Sequence, residues 1–133
     1  MKTKLSIAAV GLGLLLASVP AIAHHSFAAE FDAAKPIKLT GSVTKVEWMN
    51  PHTYFYIDVK DEKGQTTNWG LEMGSPNGLM RQGWTRNSMK IGDVVTVEGS
   101  AAKDGSNIGN ARSVTLSGGQ RLFAASSQTP ANP

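Results

Sequence analysis

The chain has 133 residues, 41% of them hydrophobic and 17% charged, with 14 glycines, no cysteine and a formal charge of +3. That is enough for one globular domain and too little for two. Collagen-like, coiled-coil and extensively disordered readings fail, because the glycines are aperiodic, heptads are absent and apolar residues run through the middle. Without cysteine there is no disulfide, no thiol catalysis, no thiolate metal site and no lipidated N-terminal cysteine, so stability must come from the core.

Residues 1–23 read as an export signal. Lys2 and Lys4 form a positive start, residues 5–16 are almost uninterruptedly apolar, and Ala21-Ile22-Ala23 obeys the small-x-small rule for signal peptidase. The apolar stretch is too short for a stable membrane span, so the mature chain is expected in the periplasm or secreted, with no span of its own. Cleavage after Ala23 leaves 110 residues with 11 basic and 10 acidic side chains. The excess positive charge belongs to the signal, and a nearly neutral domain has no electrostatic footprint for nucleic acid.

Five strands are expected in the mature chain. Residues 37–49 alternate on Leu39, Gly41 and Val43 and then change phase to Val46 and Trp48, which predicts a bulge near Thr44-Lys45. After the Asn50-Pro51 turn, residues 52–60 put Thr53, Phe55, Ile57 and Val59 on the core face and His52, Tyr54, Tyr56 and Asp58 on the other. Asp61-Glu62-Lys63-Gly64 turns the chain into a third strand, residues 66–73, with Trp69 and Leu71 facing the core. Ser75 as N-cap and Pro76 at the first helical position predict a short helix to about Gln82, with Leu79 and Met80 inward. Residues 94–101 and 110–116, joined by an Asp104-Gly105 turn, complete the set. Residues 124–133, rich in Ser, Gln, Thr, Pro and Ala, read as a disordered tail.

Three strands, a short helix and two more strands match a small five-stranded OB-like Greek-key barrel over residues 24–123, an all-β domain with one short helix. An immunoglobulin-like sandwich would need about seven strands. The expected core includes Val43, Val46, Phe55, Ile57, Val59, Leu71, Val95, Val97 and Val114.

The chemistry of interest lies in the three histidines, His24, His25 and His52. Cleavage after Ala23 makes His24 the N-terminal residue, whose free amine and ring Nδ1 close a chelate around one metal ion. A second histidine completes a three-nitrogen site, a histidine brace, and such nitrogen ligands favour copper. The amine, with an unperturbed pKa of about 7.7, gives up its proton to a metal at modest cost. His52 is the better second ligand because a strand holds it, and His25 competes for the same ion. Tyr54 and Tyr56 share its face, Met49 offers a soft thioether nearby of the kind that favours Cu(I), and Glu47 and Glu72 are the carboxylates placed to support the ligands. Cleavage after Ala21 would instead give Ile22-Ala23-His24, a third-position histidine that also binds Cu(II), through backbone amides.

Blander readings stand beside these: an exposed histidine-containing terminus, a surface His52 and a solvated tyrosine row. Trp48, Trp69 and Trp84 read as core rather than as a stacking platform, the Gly74–Gly78 loop as a capped turn, and Arg81 and Arg86 as solvated. No nucleophile elbow or Ser-His-Asp spacing is present, so no catalytic residues are assigned.

His24-His25-Ser26-Phe27, Val46-Glu47-Trp48-Met49-Asn50-Pro51-His52, Leu71-Glu72-Met73-Gly74-Ser75-Pro76-Asn77, Gly83-Trp84-Thr85-Arg86 and Gly92-Asp93-Val94-Val95-Thr96-Val97 together resemble a family of small exported bacterial proteins of unknown function. The resemblance covers nearly the whole mature chain. It implies an OB-type barrel and a mature N-terminus of paired histidines, and no activity. The expected role is a periplasmic metal-binding protein, a copper carrier or buffer, with a metal ion and in addition a periplasmic protein as partners. The alternative is a metal-free OB-like module for a partner protein or small ligand.

Overall fold

The computed structural model describes residues 27–126. In chain order these form α1 (Phe27–Glu30), β1 (Phe31–Glu47), β2 (Tyr54–Lys60), β3 (Thr66–Glu72), α2 (Pro76–Arg81), β4 (Val94–Ala102), β5 (Ile108–Thr115) and β6 (Arg121–Phe123). The strands hydrogen-bond in the order β3-β2-β1-β4-β5-β6, and β3 also pairs with β5 in parallel. That last pairing closes a ring of β1, β2, β3, β5 and β4, the five-stranded Greek-key barrel of OB type. β6 lies outside the ring as a short antiparallel addition to β5.

Closure depends on β1, which is long enough to serve two neighbours. Its first half pairs with β4 and its second half with β2. The register jumps between Val43↔Ile57 and Lys45↔Tyr56, so the extra residue falls at Thr44, where the phase change in the sequence puts it. Gly41 precedes this bend. A Cβ there would lie 2.3 Å from the Asp58 carbonyl oxygen, so only glycine lets β1 pass this close to β2.

The inward positions of all five ring strands meet in one cluster containing Val43, Phe55, Ile57, Leu71, Val95, Val97, Ala111 and Val114. Each of the larger apolar side chains contributes about 1.5–3 kcal/mol on burial. Val46 and Val59 are half-buried and pack against this cluster, as do Trp48 and Trp69. Leu79, Trp84 and Met89, from the connection between β3 and β4, join it as a plug, and the Trp84 indole N–H donates to the Phe123 carbonyl at 2.9 Å. α2 starts as expected, with the Ser75 hydroxyl accepting from the Gly78 N–H and Pro76 in the first turn. Met80 corrects the expectation for this helix: it is 52% exposed, because a six-residue helix buries one narrow face and Leu79 occupies it.

Two further differences bear on the site. β1 begins at Phe31 rather than at residue 37, and Phe31 itself is buried. The tail expected from Ala124 begins with residues that the barrel holds. The Ala124 N–H donates to Arg112 O, its carbonyl accepts from the Gly74 N–H, and Ala124 and Ser126 are buried. Residues 127–133 and the expected signal, with His24 and His25, lie outside the described residues. Among the described residues no helix is long and apolar enough to cross a membrane.

Candidate functional site

The β2–β3 pairing continues past the ends of both strands. Thr53 N–H donates to Gly74 O at 3.0 Å and Met73 N–H donates to Thr53 O at 2.8 Å. This fixes the backbone immediately after His52, which itself follows the Asn50-Pro51 peptide, a cis bond. The His52 side chain is 38% exposed, and its Nδ1 lies 3.2 Å from Met73 O and 4.0 Å from Glu72 Oε1. Both neighbours only accept, so the contact with Met73 requires the proton on Nδ1. In the neutral ring Nε2 then carries the lone pair. A ring held through Nδ1–H by a carbonyl, with a carboxylate beside it, is the arrangement that orients a metal-binding histidine.

Register builds the rest of the cluster. Tyr54 of β2 stands opposite Glu72 of β3, which in turn stands opposite Asn110 of β5. The Tyr54 hydroxyl donates to Glu72 Oε2 at 2.6 Å, and Asn110 Nδ2 donates to Glu72 Oε1 at a longer 3.5 Å. Glu72 is only 7% exposed and Asn110 1%. Burial, the bond to Glu72 and the charges of Glu72 and Glu30 together push the Tyr54 phenol well above the ordinary range.

The second carboxylate expected to support the site is otherwise engaged. Glu47 pairs with Lys45 and accepts from the Tyr56 hydroxyl at 3.3 Å. The Lys45 hydrogen bond holds the Glu47 carboxyl below its ordinary range, and the Lys45 ammonium sits 5.4 Å from the centre of the Tyr56 ring. Of the two tyrosines, Tyr54 belongs to the His52 cluster and Tyr56 to this one. Met49 is exposed in the loop between β1 and β2. Asn110 carries no signal in the sequence: a lone Asn in a small-residue strand reads as nothing until the parallel β3–β5 register sets it against Glu72.

Among the described residues no group of three or more His, Asp or Glu is placed to hold a metal ion. The donor set therefore fits a metal only as half a site, with His52 as a nitrogen ligand and Glu72 beside it. His24 and His25 lie outside the described residues, His25 two residues before Phe27, where α1 begins.

By fold and by this cluster, the molecule is a small OB-type barrel with a buried polar row at the end where β2 starts and β3 stops. The chain belongs to a family described as a family of unknown function (DUF6152), whose profile matches residues 12–112. No curated protein matches its sequence significantly. Among solved structures, it is similar to the mitochondrial single-stranded DNA binding protein Rim1 of S. cerevisiae, with a TM-score of 0.48 and 14% identity over 62% of this chain and 92% of that one. It is also similar to a chain of the complex of TiaS with a tRNA and ATP, with a TM-score of 0.47 and 23% identity over 64% of this chain. There the match spans 18% of the other chain's length.

Proposed function

We propose that this is an exported, periplasmic metal-binding protein that carries or buffers copper, with His24 and His52 as its principal ligands and His25 as a competing one. The observation that carries the reading is the placement of His52. Its Nδ1 is engaged by Met73 O, its Nε2 is left to ligate, and a buried carboxylate lies 4.0 Å away. His24, the expected N-terminal residue, is three residues before Phe27, where the described residues begin.

A carrier or buffer suits the size of the molecule better than an oxidative enzyme, since 110 residues after processing leave little surface for an extended substrate. Nucleic acid is not the partner we propose. The processed chain is nearly neutral, with 11 basic and 10 acidic side chains.

The test is a Cu(II) titration of the leader-processed protein against a competing chelator, with a free peptide of the same first residues as reference. Binding at least tenfold tighter than the peptide supports the proposal, a difference of about 1.4 kcal/mol. Affinity equal to that of the peptide favours the alternative, a metal-free OB-like module for a partner protein or small ligand.

A further inference from the structure

Glu72 holds a carboxylate largely out of water, and a buried carboxylate needs either positive charge or a full set of donors. Its two oxygens are unequally served. Oε2 receives the short bond from Tyr54, whereas Oε1 has the 3.5 Å contact from Asn110 and faces His52. Beside it Asn110 is 1% exposed, and its Oδ1 has no hydrogen-bond partner among the described residues. Two acceptor groups thus lie buried together with less donor capacity than they need, next to a histidine whose Nδ1–H is already shared with Met73 O. Such a place favours added positive charge, and the attraction grows in proportion to the charge of the ion.

We infer that Glu72, set against His52 and the buried side chain of Asn110, selects the charge of the metal: the site takes a divalent ion, copper as Cu(II), and discriminates against Cu(I). This rests on the metal-binding reading above. Ligand chemistry points the same way. The described groups around His52 offer nitrogen and oxygen, which suit Cu(II), while Cu(I) prefers thiolate or thioether, and the sequence has no cysteine. Met49 is the thioether in the adjoining loop, and its side chain is exposed to solvent.

The experiment measures both ions on the leader-processed full chain: Cu(II) by chelator competition in air, and Cu(I) anaerobically with a Cu(I)-specific chelator. It compares wild type, Glu72→Gln, Glu72→Asp and Met49→Leu. Glu72→Gln is expected to weaken Cu(II) binding by about 10–100-fold and Cu(I) binding by only about the square root of that factor, since its charge is half as large. Glu72→Asp, which keeps the charge, restores part of the Cu(II) preference. Equal losses for both ions, or no loss for either, overturn the inference, as does a Cu(I) affinity that depends on Met49 while Cu(II) is indifferent to Glu72. Should Glu72→Gln fail to fold, the Cu(II)/Cu(I) ratio of Glu72→Asp and wild type against the free peptide decides, and equal ratios overturn the inference. Wild type binding neither ion better than the peptide defeats the metal-binding reading itself. Wild type binding tightly with no effect of Glu72→Gln defeats only the selection by charge.

Discussion

The barrel carries two tyrosine–glutamate pairs, their tyrosines only two residues apart on β2, and they differ in what surrounds them. Tyr56 and Glu47 meet at 3.3 Å at the half-buried rim, with the exposed Lys45 closing the trio. Tyr54 and Glu72 meet at 2.6 Å in a buried row, where Asn110 and the ring of His52 stand in the place that Lys45 takes in the other. The chemistry of the pairs is the same and their energetics are not. An exposed ion pair is screened and contributes little, about 0–1 kcal/mol, while a buried hydrogen-bonded carboxylate leaves an unsatisfied neighbour if either partner is removed. A permanent ammonium completes the first trio. In the second an imidazole stands there instead, its Nδ1 engaged by Met73 O, which makes it the candidate site.

The largest expected effect separates the two directly. Replacing His52 by Ala should weaken Cu(II) binding by well over tenfold, whereas Glu47→Gln should leave it unchanged in the same chelator competition. His25→Ala should fall between them. If Glu47→Gln weakens copper as much as His52→Ala does, the contrast between the two pairs is wrong.

Stability should follow burial in the same way. Tyr54→Phe removes the short bond to a buried carboxylate and should cost about 1–3 kcal/mol. Tyr56→Phe should stay within about 0.5 kcal/mol, as surface changes usually do. Urea unfolding midpoints at neutral pH measure both, and equal shifts would show that burial of the Tyr54 row carries no weight.

The smaller effect is on alkaline stability. Both phenols are raised above the ordinary value of 10.0, Tyr54 chiefly by burial and then by Glu72, and Tyr56 by burial and then by Glu47. A phenol whose folded pKa is raised stabilises the fold fully below the unfolded value. That contribution is lost as pH rises, because the unfolded chain then binds fewer protons than the folded one. Stability should therefore begin to fall above about pH 10. Tyr54→Phe should flatten that fall more than Tyr56→Phe, and an ultraviolet titration should show Tyr56 ionising first.

Much of the frame is legible in the sequence because it is written locally. The alternation of Phe55, Ile57 and Val59, the phase slip at Thr44, the Ser75-Pro76 cap and the turn residues each act within a few positions. What is not legible depends on contacts between distant segments. The start of β1 at Phe31 hides because residues 33–36 are exposed, show no alternation and reach β4 only after a register shift. Ala124 looks like tail composition, yet it packs because Gly74 has no side chain: a Cβ there would lie 2.2 Å from Ala125 O. The site is half legible. Residue type and strand phase nominate His52, Tyr54, Tyr56, Glu47 and Glu72. The β2–β3 register sets Glu72 opposite Tyr54, and burying it against Asn110 takes the β3–β5 pairing, a long-range event that no local pattern records.

The most direct measurement changes only the position of the N-terminal amine. Intact mass first establishes whether the processed chain begins at His24. The same protein bearing one additional residue before His24 is then titrated with Cu(II) beside it. Loss of affinity by more than tenfold in the extended protein, with an unchanged unfolding midpoint in the absence of metal, is the result predicted for a site built from the His24 amine and ring together with His52. Equal affinity in the two proteins would contradict it and return the paired histidines to an ordinary exposed terminus.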